Sequence, residues 1–179
     1  REAIAIAPTT PLILRGAHAS ATWSPSIAPP PDQDTLMRLS DLYSGDNLLA
    51  PVLAEATQTA AIAGEAGMAS GKSVRPGAAG PASYRLLAEA AARLMAAPDG
   101  PSACVLSFDG WDTHANQGAA DGLLATRLGG LDSALSALRD GLGPQWDKTA
   151  VLVVTEFGRT VAINGTGGTD HGSGGAAFV

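Results

Sequence analysis

An almost entirely apolar run, Ala-Cys-Val-Leu-Ser-Phe, occupies residues 103–108. Such a run is typical of a strand that is buried on both faces of a sheet. A long helix is predicted over about 121–142, where leucines recur at spacings of four and three residues. These leucines are Leu124, Leu128, Leu131, Leu135, Leu138 and Leu142. A second apolar run, Thr-Ala-Val-Leu-Val-Val-Thr, follows at 149–155. Strand, helix and strand at these lengths predict a right-handed βαβ unit with parallel strands.

The chain before this unit predicts three further helices. They span about 35–43, with Asp32 or Asp34 as N-cap, about 46–63, and 84–97, with Ser83 as N-cap. Apolar stripes in the first two helices are expected to face the core. They comprise Leu36, Leu39, Leu42 and Tyr43, and then Leu48, Leu49, Val52, Leu53 and Ala56. Two short apolar runs, at 3–7 and 11–14, fit either strands or extended chain.

Composition narrows the class of function. The 179 residues carry 17 acidic and 11 scattered basic side chains, which gives a net charge of −6. Nucleic-acid binding and polybasic contact with a membrane are disfavoured, because both need clustered Lys and Arg. No apolar run approaches the ~18 residues of a membrane span. The single cysteine, Cys104, excludes an internal disulfide and a cysteine-based zinc site, and we expect it to pack within its strand.

The sequence fits one partial α/β domain over residues 1–179, with a mostly parallel sheet flanked by helices. The chain opens on Arg1 rather than Met and closes on an apolar run at 176–179, so we expect the domain to be incomplete at both ends. Glycine and proline predict a flexible loop at about 64–82. The Gly-Lys-Ser at 71–73 does not complete a P-loop, because the spacing to the preceding glycine is too short.

Polar clusters follow both predicted strands, at 109–116 and at 155–160, and a third cluster lies at 164–172. Ligands of open parallel sheets bind at the carboxyl ends of the strands. Two of the three histidines lie in these clusters, and each is close to an aspartate. The pairs are Asp112 with His114 and Asp170 with His171. Two carboxylates and two imidazoles at one sheet edge predict a site for one or two divalent metals.

Other interpretations of the same residues stay open. Each Asp–His pair, taken alone, also fits a structural hydrogen bond within a loop. Glu156 and Arg159 fit either an ordinary ion pair or a functional pair. In the functional case Arg159 holds an oxyanion through two parallel hydrogen bonds, and Glu156 orients a metal ligand without binding the metal itself. Trp111 is expected to pack over its loop, and His18 to be a surface or packing histidine.

Three motifs in this order resemble the bacterial family catalogued as domain of unknown function 1501. They are Gly110-Trp111-Asp112-Thr113-His114, then Thr155-Glu156-Phe157-Gly158-Arg159-Thr160, then Asn164-Gly165 with Gly168-Thr169-Asp170-His171-Gly172. Looser matches earlier in the chain extend the resemblance over nearly all of it. That family looks like a branch of the alkaline phosphatase and sulfatase superfamily. The resemblance therefore implies an α/β/α sandwich with a two-metal site.

The resemblance also implies roles for individual residues. The Asp-His-Gly motif carries two metal ligands over onto Asp170 and His171. A second Asp and His pair carries over onto Asp112 and His114, which stand two residues apart here rather than the four usual in the superfamily. The superfamily nucleophile, its first metal-binding aspartate and a further histidine would lie outside these 179 residues. On that basis this chain is one part of a site and is inactive alone.

The function implied is metal-dependent hydrolysis of phosphate or sulfate esters, on a small-molecule or polymer substrate. Histidine ligands favour zinc or manganese, and Arg159 would bind the non-bridging oxygens of the ester. Members of the family tend to carry a twin-arginine export signal, so the resemblance implies an exported or periplasmic protein, with a cytoplasmic one as the alternative. The rival function is a non-catalytic metal-binding or assembly protein on a hydrolase-like fold.

Overall fold

The computed structural model describes residues 3–7, 9–16, 20–24, 31–65 and 80–179. Within them, three parallel strands form a sheet in the order β2-β1-β3, flanked by four α-helices. This confirms the predicted α/β class and is consistent with an α/β/α layout. The strands are β1 (Ala3–Ile6), β2 (Ala21–Trp23) and β3 (Ala103–Leu106). The helices are α1 (Gln33–Tyr43), α2 (Leu49–Glu65), α3 (Pro81–Ala96) and α4 (Leu123–Leu142).

Strand burial follows position in the sheet rather than apolar run length. Central β1 buries Ile4, Ala5 and Ile6 almost completely. The prediction that 103–108 is buried on both faces was wrong, because β3 lies at the edge of the sheet. It ends at Leu106 and is only half-buried. Burial still raises the pKa of the Cys104 thiol to about 12, so this side chain packs against the core as a neutral group.

The second strand of the predicted βαβ unit does not form, and that prediction was wrong. In residues 149–155 only Val153 pairs, through an antiparallel bridge to Phe178. Leu152 and Val154 are mostly exposed. A strand needs a ladder partner along its length, and among the described residues the one β-bridge of this run joins Val153 to Phe178. A short 3-10 helix over Gly143–Lys148 follows α4. Beyond it, two strands of two residues each, β4 (Gly158–Arg159) and β5 (His171–Gly172), pair antiparallel.

Several local predictions need smaller corrections. The run at 11–14 contains a 3-10 turn, Leu12–Leu14, rather than a strand. Asp32 caps α1, as one of the two predicted caps, by accepting a hydrogen bond from the Thr35 amide. Ser83 lies inside the first turn of α3 rather than at its N-cap, which is Gly80. Of the predicted loop at 64–82, both edges are helical, and residues 66–79, including the Gly-Lys-Ser stretch, lie outside the described residues.

The stripes predicted for α1 and α2 are less buried than expected. Leu42, Leu48, Leu49, Val52 and Ala56 are exposed. The remaining stripe residues, Leu36, Leu39, Tyr43 and Leu53, are only half-buried. The buried residues of α2 are instead Thr59 and Ala63, in the carboxyl-terminal half of the helix. The helix packs on β2. None of the described helices is both long enough and apolar enough to cross a membrane.

The core is built where α3 packs closely against α4 through small residues. Buried alanines of α3 face Ala134 and Ala137 of α4. The leucine stripe of α4 is therefore mostly half-buried, and the closest contact runs along a neighbouring stripe of glycine and alanine. A Cβ added at Gly130 would lie 2.6 Å from the Cα of Pro81. The two helices thus approach closely enough to exclude any side chain at that position.

Substitution of Gly130 tests this close approach. Gly130→Ala is expected to lower the free energy of unfolding by about 1–3 kcal/mol, because the added methyl group meets helix backbone. Gly129→Ala is the matched control, since nothing lies within 4 Å of a Cβ at that position. Replacing that exposed glycine within a helix is expected to stabilise by up to ~1 kcal/mol. Chemical denaturation of both variants measures the difference, and equal effects would contradict the packing described.

Tyr84, near the start of α3, anchors the residues that follow β3. Tyr84 of α3 is fully buried and stacks on Phe108, with ring centroids 4.6 Å apart. Its hydroxyl donates a hydrogen bond to the Asp109 carbonyl. The same ring stacks more loosely on Trp111, 6.0 Å away, which packs against the core as expected. Tyr84 therefore fixes the start of the loop that carries Asp112 and His114.

Candidate metal centre

Two loops, residues 109–117 and 164–172, come together beyond β3; we call them the first and second site loops. Their backbones are hydrogen-bonded: the Asn116 amide donates to the Thr166 carbonyl at 3.1 Å and the Gln117 amide to the Gly167 carbonyl at 2.9 Å. Buried Thr113 and Thr169, one from each loop, both donate to the Gln117 side-chain oxygen at 2.8 Å. The loops therefore form one unit although they are distant in sequence.

Three side chains on these loops could hold a metal ion. Asp112, His114 and His171 each offer one ligand atom, and these atoms all lie within 4.8 Å of one another. The Nε2 atoms of His114 and His171 lie 3.0 and 2.9 Å from the same oxygen, Oδ1 of Asp112. All three side chains are about half exposed. Two imidazoles and a carboxylate around one point form a donor set that suits a divalent transition metal.

His114 lies between two carboxylates. Its Nε2 faces Asp112, and its Nδ1 lies 3.1 Å from Oδ1 of Asp170. A neutral imidazole carries one N–H, so it can donate to only one of two carboxylates. In the tautomer that carries the proton on Nδ1, Nδ1–H donates to Asp170 and the Nε2 lone pair is available to a cation. This arrangement is the carboxylate–histidine–metal relay found at many metal sites.

Neighbouring donors keep both aspartates ionised. The hydrogen bond with His171, together with the positive charge of Arg159, lowers the pKa of Asp112 below its ordinary value. Hydrogen bonds with Asn164 and His114 lower the pKa of Asp170 in the same way. Both carboxyl groups are therefore negative at neutral pH, and the carboxylate is the form that binds a metal.

Arg159 contacts both site loops and the cluster formed by Asp112, His114 and His171, which we call the metal-ligating cluster because its residues could hold a metal ion. Its guanidinium donates to the Trp111 carbonyl at 3.0 Å and to the Thr169 carbonyl, and Nη2 lies 2.5 Å from Asp112 Oδ1. Its side chain is 20% exposed and lies over the Phe157 ring, 4.9 Å from the centroid. The predicted role of Arg159 in holding a substrate oxyanion stays a prediction.

The four aspartates and histidines predicted as ligands do come together, but in unequal positions. Asp112, His114 and His171 converge, whereas Asp170 contacts the far side of the His114 ring. Glu156 is exposed, and among the described residues no hydrogen bond or ion pair engages its carboxylate. His18 lies outside the described residues.

Sequence reasoning missed two residues that shape the site. Phe157 stacks on His171 with ring centroids 4.7 Å apart, and its place inside the second motif was the only signal for it. Asn164 lies within the third motif, and the sequence pattern predicts no role for it. Its side chain contacts both Asp170 and the backbone of His114. An asparagine before a glycine indicates a turn, and nothing in the spacing indicates these contacts.

Comparisons with known proteins return one informative match. The model of the family described as "Protein of unknown function (DUF1501)" matches residues 18–179, which include both site loops. No curated protein and no solved structure matches this chain. Because the family model covers most of the chain, including Asp112, His114 and His171, the protein belongs to the DUF1501 family.

Proposed function

We propose that the protein binds a divalent metal through Asp112, His114 and His171 and uses it to hydrolyse phosphate or sulfate esters. The observation that supports this most strongly is the convergence of two imidazole nitrogens on one carboxylate oxygen, at 3.0 and 2.9 Å. Three protein ligands with half-exposed side chains leave room for substrate, as catalytic metal sites require.

The proposed metal is zinc or manganese, because two of the three ligands are imidazoles. Asp170 then acts through His114: it accepts a hydrogen bond from Nδ1–H, which would direct Nε2 to the metal. A metal at this position supplies Lewis-acid polarisation of the ester oxygen. Asp170 was expected as a direct ligand, and its contact with His114 favours the indirect role.

The proposed role of Arg159 in hydrolysis follows from its contacts. Two backbone carbonyls hold the guanidinium beside Asp112. If Asp112 served as a metal ligand, the Nη2 hydrogen of Arg159 that now contacts Asp112 Oδ1 would be available for a non-bridging oxygen of phosphate or sulfate. The low exposure of this side chain limits its motion and would hold the anion in one orientation.

A second function, non-catalytic metal binding, is favoured by the same arginine. Arg159 makes three contacts that join the site loops, which is also what a purely structural residue would do. In that case the metal stabilises the junction of the two loops and no ester is cleaved. The two functions differ in whether the metal-loaded protein binds and processes oxyanions.

The experiment begins with elemental analysis of the protein extended to its natural ends, because the resemblance implies that the nucleophile lies outside these 179 residues, and the protein is purified without chelators or a histidine tag. Protein loaded with zinc or manganese is then tested for hydrolysis of p-nitrophenyl phosphate and p-nitrophenyl sulfate, and for binding of inorganic phosphate and sulfate. We expect bound metal and metal-dependent binding of at least one anion, weakened at least tenfold by Arg159→Gln, the loss of about 1.4 kcal/mol. Bound metal with neither hydrolysis nor anion binding would favour the structural function, and absence of metal would refute both.

A further inference from the structure

The Asn164 side chain contacts both Asp170 and His114, the carboxylate and the imidazole residue of the carboxylate–histidine relay described above. Its Nδ2 donates to Oδ1 of Asp170 at 2.9 Å and to the backbone carbonyl of His114 at 2.9 Å. One amide group therefore holds the carboxylate and the residue whose imidazole that carboxylate contacts. The amide nitrogen and the His114 Nδ1 meet the same oxygen of Asp170.

The orientation of this amide is fixed by its surroundings. Oδ1 of Asn164 accepts from the backbone amides of Thr166 and Gly168, both at 3.0 Å. Those two groups can only donate, while the Asp170 carboxylate and the His114 carbonyl can only accept. Only one orientation satisfies all four partners. The turn at 164–168 therefore presents the NH₂ group toward the relay and cannot present the oxygen there.

We propose that Asn164 is a positioning residue for the metal site, acting through Asp170 and His114 rather than by touching the metal. This inference rests on the proposed metal-binding function. By holding Asp170 and the His114 backbone in one place, Asn164 sets the direction in which the His114 ring presents Nε2. Partners of this kind behind metal ligands typically contribute 10–100-fold to metal affinity.

A double-mutant cycle with cobalt(II) as the probe tests the proposal, because cobalt reports ligand geometry through its visible absorption. Asn164→Ala and Asp170→Asn are each expected to lower cobalt affinity about 10–100-fold and to shift the visible bands in the same direction. The double variant is expected to lose no more than the larger single loss, because both residues act on His114 by one route.

Thr166→Val is the matched control within the same turn. The Thr166 hydroxyl lies 2.7 Å from the same His114 carbonyl and 2.9 Å from Asn164 Oδ1, and its single proton can be donated to either oxygen, but no hydrogen bond joins it to Asp170. Its removal is expected to leave cobalt affinity within about threefold, under 1 kcal/mol. A loss as large as that of Asn164→Ala would assign the effect to the turn as a whole and overturn the proposal.

A further variant covers the case in which Asn164→Ala does not fold. Asn164→Asp keeps the oxygen that the turn requires and replaces the NH₂ group, which donates to both Asp170 and the His114 carbonyl, with a carboxylate oxygen that repels both. Its expected readout is the shifted cobalt spectrum. An unshifted spectrum, or additive losses in the cycle while the wild-type protein binds cobalt, would overturn the role of Asn164 alone. No cobalt binding by the wild-type protein would overturn the proposed metal site together with this inference.

Discussion

His171→Ala is expected to lower the affinity for zinc more than about 100-fold, beyond the 10–100-fold typical of losing a partner that only contacts a ligand. The variant removes one of three ligand atoms that lie within 4.8 Å of one another. The His171 side chain is 56% exposed, so its truncation removes little buried surface. We therefore expect the metal-free variant to unfold within a few degrees of the wild-type protein.

His18→Ala is the control for this measurement, because it removes an imidazole from the same chain outside the proposed ligand set. Competition against a chelating dye gives the zinc affinity of the three proteins. The His18 variant is expected to match the wild-type protein. Equal zinc affinity in wild-type and His171→Ala protein would remove His171 from the ligand set, and an equal loss in both variants would indicate non-specific binding to histidines.

Gly168→Ala is the second substitution with a large expected effect, because it separates the site loops. A Cβ at Gly168 would lie 2.2 Å from the backbone carbon of His114 and 2.6 Å from the Ala115 amide nitrogen. Backbone at such distances must move apart, and we expect a loss of about 1–3 kcal/mol in the free energy of unfolding. Because the loops carry His114 and His171 separately, zinc affinity should fall with it, by at least about tenfold.

Gly165→Ala provides the matched control in the same turn. Nothing lies within 4 Å of a Cβ at Gly165, and the residue is exposed. We expect its stability to stay within about 0.5 kcal/mol of wild type and its zinc affinity to be unchanged. Thermal unfolding with and without zinc measures both quantities. If Gly168→Ala retained wild-type stability and affinity, the close contact between the two loops would not exist as described.

The sequence predicted the α/β class and the long helix α4 because both depend on local periodicity. Leucines at alternating spacings predicted a helix at 121–142, and α4 spans Leu123–Leu142. The same reasoning failed at 149–155, since β-propensity does not determine whether a partner strand lies alongside. It also misjudged β3, because an apolar run cannot distinguish an edge strand from a central one.

The site was predictable in composition but not in arrangement. Asp112, His114 and His171 were identified because carboxylates and imidazoles are concentrated in two loops. The role that the contacts favour for Asp170 could not be predicted, since it depends on which face of the His114 ring each carboxylate meets. The contacts of Arg159 and Asn164 likewise depend on backbone carbonyls, and a sequence pattern carries no information about those.

Anomalous diffraction at the zinc absorption edge, from crystals of the zinc-loaded protein, tests the central claim most directly. We expect a zinc peak about 2.0–2.1 Å from Nε2 of His114 and of His171, with an oxygen of Asp112 at about 2.0–2.2 Å. Asp170 is predicted to stay on Nδ1 of His114, outside bonding distance of the metal. A zinc peak elsewhere on the protein, or none at this cluster, would contradict the account.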